Sequence, residues 1–250
     1  MKRRYRNIAK WSFLVVVILV WEFSHVPQYL LPKPTSIVRE MISQWKIVID
    51  HSVYTVVEAL LGLVIGLLLG VGLAVLMDLF RVIRDVIYPV LIVSQAIPIV
   101  AVAPLVVIWF GLEIGTKIGI VAFVTLFPVA LNTLEGFRTI DPDALDLFKV
   151  MKASKLQMYR YLIVPHTLPY VFSGLKISAT YAVVSAVIGE WLGAEKGLGI
   201  YMIRAMNTFR ADRLFVSVIV VVILSVLIFK LVDFLSRKLT PWFEERRLLT

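Results

Sequence analysis

The sequence predicts an all-α integral membrane protein built from six transmembrane helices. Three observations carry that expectation. Hydrophobic residues make up 60% of the 250-residue chain. The mean hydropathy of +0.88 lies far above the range of a soluble domain. The apolar residues also gather into runs near the length of about 20 helical residues that crosses about 30 Å of hydrocarbon. The runs cover residues 11–31, 52–77, 86–110, 117–137, 170–190 and 213–236. A transmembrane domain over residues 11–236 is therefore expected, between terminal segments 1–10 and 237–250. The chain has no cysteine, which removes disulfides and thiolate metal sites.

The first run follows MKRRYRNIAK like a signal peptide. It exceeds the usual apolar core of one, and VPQYLLPKP offers no small-residue cleavage site, so it reads as a retained helix. The second run holds GLVIGLLLG, in which Gly62, Gly66 and Gly70 form overlapping small-xxx-small repeats suited to close helix packing. Glu22 in the first run and Glu58 in the second are expected to pair with interfacial cations or sit at the headgroups. Pro98, Pro104 and Pro128 predict kinks or broken turns in the third and fourth runs. Carbonyls freed there persist only where protein or a watered cavity covers them.

Polar side chains inside apolar helices are costly in lipid and so are expected to face the bundle interior. Ser94, Gln95, Thr125, Asn132, Ser178, Tyr181, Ser185 and Glu190 are the candidates for a translocation pathway. For the serines and threonines the competing reading is a hydrogen bond back to their own helix. Lys176, near a helix end, is expected to snorkel. His25, His51 and His166 lie at run ends without metal-ligand spacing, and no catalytic or metal site is assigned.

Lysine and arginine set the orientation. With the N-terminus inside, the cytoplasmic segments hold sixteen Lys and Arg and the outer segments eight. The positive-inside rule therefore predicts both termini in the cytoplasm. The net charge of +9 is a matter of topology on this reading, not of nucleic-acid binding.

The longest polar interval, DPDALDLFKVMKASKLQMYRYLIVPHTLP, then lies in the cytoplasmic loop 138–169. Asp141 is placed to cap a helix with Pro142 at its first position, and Ala144, Leu147, Phe148 and Met151 fall on one face. Ser154 and Gln157 form a capping box for a second helix with Leu156, Tyr159, Leu162 and Ile163 as its apolar stripe, ended by Pro165. On pattern alone this is an amphipathic hairpin on the lipid headgroups, with Lys149, Lys152, Lys155 and Arg160 toward phosphate.

The interval also resembles the cytoplasmic signature of bacterial ABC-importer permeases, written EAA, three residues, G, nine residues, I-x-L-P. Asp146 takes the acidic position, Leu147 and Phe148 the two alanines, Lys152 the glycine, and Leu162 to Pro165 the ending. The stretches LLPKPTSIVREM, AIPIVAVAPLVVIWFG, LNTLEGFRTIDP and GEWLGAEKGLGIYMIRA resemble permeases for nitrate, taurine, aliphatic sulfonates and thiamine precursors. The resemblance implies a type I ABC-importer permease fold and a bacterial inner-membrane location. It makes the hairpin a coupling helix through which Asp146, Leu147, Phe148, Met151, Lys152 and Pro165 engage a separate ATPase.

It further implies a homodimer with two ATPase copies that bind ATP and Mg, and an extracytoplasmic solute-binding protein. Leu147, Phe148 and Met151 carry more apolar bulk than a headgroup-lying segment needs. GLEIGTKIG and GAEKGLG lack the spacing of a phosphate loop, so ATP hydrolysis is expected in another polypeptide. An ion-gradient-driven transporter would need carboxylates near the membrane midplane. A membrane-embedded enzyme would need a His/Asp/Glu cluster such as H-E-x-x-H, and the sequence has none.

Overall fold

The computed structural model describes residues 12–13 and 15–243. Helices follow one another along the chain: α1 (residues 15–22), α2 (Pro34–Ser43), α3 (Trp45–Leu79), α4 (Arg81–Ser94), α5 (Ile99–Phe110) and α6 (Ile114–Arg138). Then come α7 (Pro142–Val150), α8 (Lys155–Met158), a π-helical turn (Tyr159–Ile163), α9 (Val164–Trp191), α10 (Leu198–Asn207) and α11 (Ala211–Leu239).

The glycines of α3 define how the bundle is built. A Cβ on Gly62 would lie 2.4 Å from Val121 Cβ, one on Gly66 2.0 Å from Thr125 Oγ1, and one on Gly70 2.9 Å from Val129 Cβ. Each step of four along α3 meets a step of four along α6, so the two helices run parallel with their backbones in close approach. Helix α9 runs antiparallel to α6. Gly136 meets Thr167 and Tyr170, Gly174 meets Pro128 and Val129, and Ser178 Oγ donates to Thr125 O at 2.7 Å. Leu63, Val121, Val129, Phe172, Ala182 and Val183 form the central core, closed by Ile228 and Val232 of α11.

Because α3 and α6 point the same way, the chain between them must cross back, and α4 with α5 does this as a pair bent by 109°. The third predicted run is therefore two helices with a sharp break between them rather than one continuous helix. Pro98 caps α5 in extended conformation (φ −64°, ψ 123°) and has no N–H to continue α4. Pro104 and Pro128 stay inside α5 and α6. Among the described residues there are four unbroken helices long and apolar enough to cross a membrane, or five where the bent pair counts as one span, against the six expected. Of the first predicted run, residues 15–22 are helical and residues 23–31 are not, while residues 11 and 14 lie outside the described residues, as do segment 1–10 and residues 244–250 of the tail.

The hairpin's second helix is longer than its sequence pattern implied. Pro165 does not end it: α8, the π turn and α9 form one 37-residue helix from Lys155 to Trp191. A proline inside an α-helix removes one N–H and collides with the carbonyl four residues back. The π turn, in which the Val164 N–H bonds to Tyr159 O five residues back, widens the ladder just before Pro165. The Trp242 indole N–H donates to Pro165 O at 3.2 Å.

The charges predicted to sit at interfaces are paired. Lys176, expected to snorkel, meets Asp233 of α11 at 2.7 Å. The Glu22 carboxylate accepts from the Thr35 N–H and hydroxyl at 3.1 and 2.7 Å, satisfying a free N–H at the start of α2. Arg210 and Arg213 reach Glu40 at 3.0 and 2.8 Å and tie α2 to α11.

The glycine seam gives a direct test. Gly66→Ala should destabilise the purified protein by about 1–3 kcal/mol, since its Cβ meets Thr125 and the α6 backbone. Gly72→Ala, with nothing within 4 Å of the new methyl group, should be neutral or stabilising by up to about 1 kcal/mol. Thermal unfolding of the two variants in detergent checks the contrast.

Candidate functional site

At one end of α6 and α9 stands the hairpin. Asp141 Oδ1 accepts the Asp143 N–H at 2.9 Å and Pro142 opens α7, as the sequence indicated. At the other end the Lys152 N–H bonds Lys149 O at 2.9 Å and the Ala153 N–H bonds Phe148 O at 3.0 Å, which is a Schellman closure. That closure needs a left-handed residue at its turn, and Lys152 supplies it with φ 53°. This is the position where the permease signature has glycine. Ser154 and Gln157 form the reciprocal capping box, with bonds of 2.7 and 3.3 Å.

These caps hold a short helix that buries nothing itself. Leu147 is 57% exposed, Val150 80%, Met151 71% and Leu156 78%. Phe148 and Ala144 are half-buried, so Val150 joins the apolar patch in place of Phe148. Asp146 pairs with Lys149 at 2.7 Å, fully in the open.

The pathway candidates divide into groups. Ser94, Gln95 and Tyr181 meet around a cavity of about 240 Å³ at the break between α4 and α5, beside Phe123, Phe127 and Pro128. Asn132 stands apart, along a second cavity of about 230 Å³ with Tyr88 and Arg138, and its amide donates to Pro128 O at 2.8 Å. Thr125, Ser178 and Ser185 are buried between helices. Thr125 Oγ1 donates to Val121 O at 2.9 Å, its own helix, as the competing reading held.

Glu190 belongs to a different group, at the opposite end of α6 from the hairpin. Helix α10 begins there with three N–H groups that have no partner within the helix. The Gly197 N–H donates to His51 Nδ1 at 2.9 Å, the Leu198 N–H to Thr55 Oγ1 at 2.9 Å, and the Gly199 N–H to Glu190 Oε2. Thr55 Oγ1 in turn donates to Glu190 Oε1 at 2.7 Å. The bond at Nδ1 assigns the His51 proton to Nε2. A carboxylate is also favoured by the positive end of the helix dipole. Gly197 has φ 125°, and a Cβ there would meet the Glu190 carboxyl carbon at 2.2 Å.

One turn along from Thr55, buried Glu58 lies 3.9 Å from the ammonium of buried Lys117. On the rim, Asp50 holds Lys196 at 3.0 Å and pushes its ammonium above the usual lysine range. Of this group the sequence reading singled out only Glu190 as a pathway candidate; His51, Thr55, Glu58 and Lys117 surround it here. The signal was present in the spacing of 51, 55 and 58, which puts three polar groups on one face of α3. Among the described residues no group of three or more His, Cys, Asp or Glu side chains is placed to hold a metal ion.

The fold, a bundle with a bent helix pair and a capped, exposed hairpin, is shared with solved ABC-transporter chains. A chain of an amino acid ABC transporter matches with a TM-score of 0.67 at 18% identity, covering 80% of this chain and 97% of that one. The MetNI methionine ABC transporter in an inward-facing form matches with 0.58 at 21% identity, covering 80% and 97%. The chain belongs to the family of binding-protein-dependent transport system inner membrane components, matched over residues 62–245.

Its relatives include the formylaminopyrimidine transport permease of Halalkalibacterium halodurans, 35% identical over 97% of this chain and 98% of that protein. A probable ABC transporter permease of Haemophilus influenzae is 33% identical over 89% and 93%. The taurine transport system permease of Escherichia coli is 26% identical over 94% and 86%.

Two predictions follow from the caps. Thr55→Val leaves the Leu198 N–H without an acceptor and Glu190 Oε1 without a donor, and should cost about 1–3 kcal/mol in thermal unfolding. Thr180→Val, whose exposed hydroxyl only bonds Ile177 O at 2.6 Å, should cost under about 0.5 kcal/mol. Lys152→Gly should relieve the left-handed turn and stabilise α7 by about 0.5–1 kcal/mol, read as slower amide exchange over residues 142–153.

Proposed function

We propose that this chain is the translocating subunit of an ATP-driven importer for a small polar solute of the sulfonate, nitrate or thiamine-pyrimidine-precursor class. Two copies of the chain would form the pathway, two copies of a separate ATPase would bind ATP and Mg, and an extracytoplasmic binding protein would deliver the solute. Both termini would face the cytoplasm. The cavity lined by Gln95 and Tyr181, at the break in the α4–α5 span, is where solute would pass.

The observation that carries the reading is the hairpin. Leu147, Val150 and Met151 stand exposed on a helix capped at both ends, which is the form of an apolar knob awaiting a cleft. Asp146, Phe148, Lys152 and Pro165 support that knob. Family membership favours ATP drive over an ion gradient, as does the position of the buried carboxylates. Glu190 is one residue from the C-terminus of α9 and is engaged in capping α10.

Leu147→Ala with Met151→Ala removes two exposed side chains that would each contribute roughly 2 kcal/mol once buried in an ATPase cleft. The double variant should fold normally, co-purify with the ATPase at least tenfold less well, and lose solute-stimulated ATP hydrolysis. Asp146→Lys should impair coupling more than Asp146→Asn. A hairpin that only lies on lipid would show the opposite order, because added positive charge strengthens attraction to anionic headgroups.

A further inference from the structure

The helix from Lys155 to Trp191 has three faults in its hydrogen-bond ladder, all within residues 164–169. The Val164 N–H reaches back five residues to Tyr159 O. Pro165 and Pro169 bring no N–H at all. Prolines and π turns are where helices kink. Here they fall where the exposed hairpin joins the long helix, so a displacement of the hairpin has to cross a soft joint before it moves α9.

One of the lost bonds is replaced. In a regular helix the N–H of residue 169 would meet Pro165 O. Pro169 leaves that carbonyl without a donor from its own helix, and the Trp242 indole N–H takes the place at 3.2 Å. A side chain 77 residues away thus stands in for the backbone.

The rest of the fold puts the indole there. Helix α11 packs on α9 through Ile228 and Val232, and its Asp233 pairs with Lys176 at 2.7 Å. The helix stops at Leu239. Thr240, buried and non-helical (φ −131°, ψ 51°), leads into a short helical turn over residues 241–243. The Phe243 N–H closes that turn on Thr240 O at 3.1 Å, which sets Trp242 against the base of α9. A second tie reaches the same joint from the end of α6, where Thr139 Oγ1 lies 3.2 Å from His166 Nε2.

We infer that Trp242 is a positioning residue for coupling: its indole N–H replaces the ladder bond that Pro169 removes and braces the joint, so that α8 and α9 move together. The inference rests on the coupling role proposed for the hairpin. A tryptophan at a membrane interface can also act only as a lipid anchor, through its amphipathic ring. An anchor needs no particular carbonyl, so donor and ring are separable by substitution.

Trp242→Phe keeps an aromatic ring and removes the donor. Pro169→Ala restores the backbone N–H and should make the indole dispensable. The absence of cysteine allows spin labels at Lys155→Cys and Ile177→Cys, two exposed positions on either side of the joint. In the full chain in lipid nanodiscs, Trp242→Phe should at least double the width of the distance distribution read by double electron–electron resonance. Trp242→Phe with Pro169→Ala should return it to the parent width. Unchanged width in Trp242→Phe, or broadening that Pro169→Ala does not reverse, overturns the brace. Thermal unfolding establishes that each variant is folded. Should Trp242→Phe alone not fold, recovery of the folded chain by added Pro169→Ala supports the brace and its failure overturns it. Should Pro169→Ala not fold, the width in Trp242→Phe decides.

The coupling role is read in the complex with the ATPase, with ATP and Mg as the probe. In the parent they should alter amide exchange both in the hairpin, residues 142–158, and at the tip of α9, residues 186–191. In Trp242→Phe the hairpin should respond as in the parent and the tip at least threefold less. A tip that does not respond in the parent, or responds equally in the variant, overturns the positioning role. Failure of the parent to bind an ATPase overturns the importer reading instead, and the label distances judge the brace independently of it.

Discussion

Apolar side chains gain little by exchanging lipid for other apolar side chains, so helices in a membrane are held by how closely their backbones approach. Gly62, Gly66 and Gly70 set that approach for α3 against α6, and the rest of the bundle depends on it. Locking these two helices parallel obliges α4 and α5 to return the chain between them, which creates the bent span and the cavity at its break. The same seam carries Thr55 and Glu58 up beside Lys117 and Glu190.

Much of this was legible in the sequence, because local signals decide local structure. The glycine repeat predicted close packing, Asp141 and the Ser154–Gln157 pair predicted caps, and Pro98 predicted a break. What could not be read was set by partners distant in sequence. Pro165 looked like a terminator because a proline alone says nothing of the π turn that admits it. Lys176 looked like a snorkelling cation until Asp233 of α11 came beside it. For Thr125 and Ser178 the sequence favoured a bond back to their own helix; Thr125 makes one, but Ser178 bonds to Thr125 O of α6, a partner that only the position of α9 against α6 supplies.

Polar groups at the two ends of the bundle solve one problem in different ways. The hairpin satisfies its free N–H and C=O groups locally, through its own side chains and a left-handed turn at Lys152. Helix α10 does so through His51, Thr55 and Glu190, contributed by α3 and α9. A locally capped segment keeps its shape when it moves against a partner. A segment capped by distant side chains stays in place only while those helices keep their spacing.

The unbroken helix from Lys155 to Trp191 joins these two ends, with the exposed Leu156 near its base and Glu190 near its tip. At 1.5 Å per residue its 37 residues make a lever arm of about 55 Å. A tilt of about 5° at the base is then a stroke of about 5 Å at the tip, more than the reach of one hydrogen bond. Any tilt of this helix must therefore carry α10 with it or break the bond from the Gly199 N–H to Glu190.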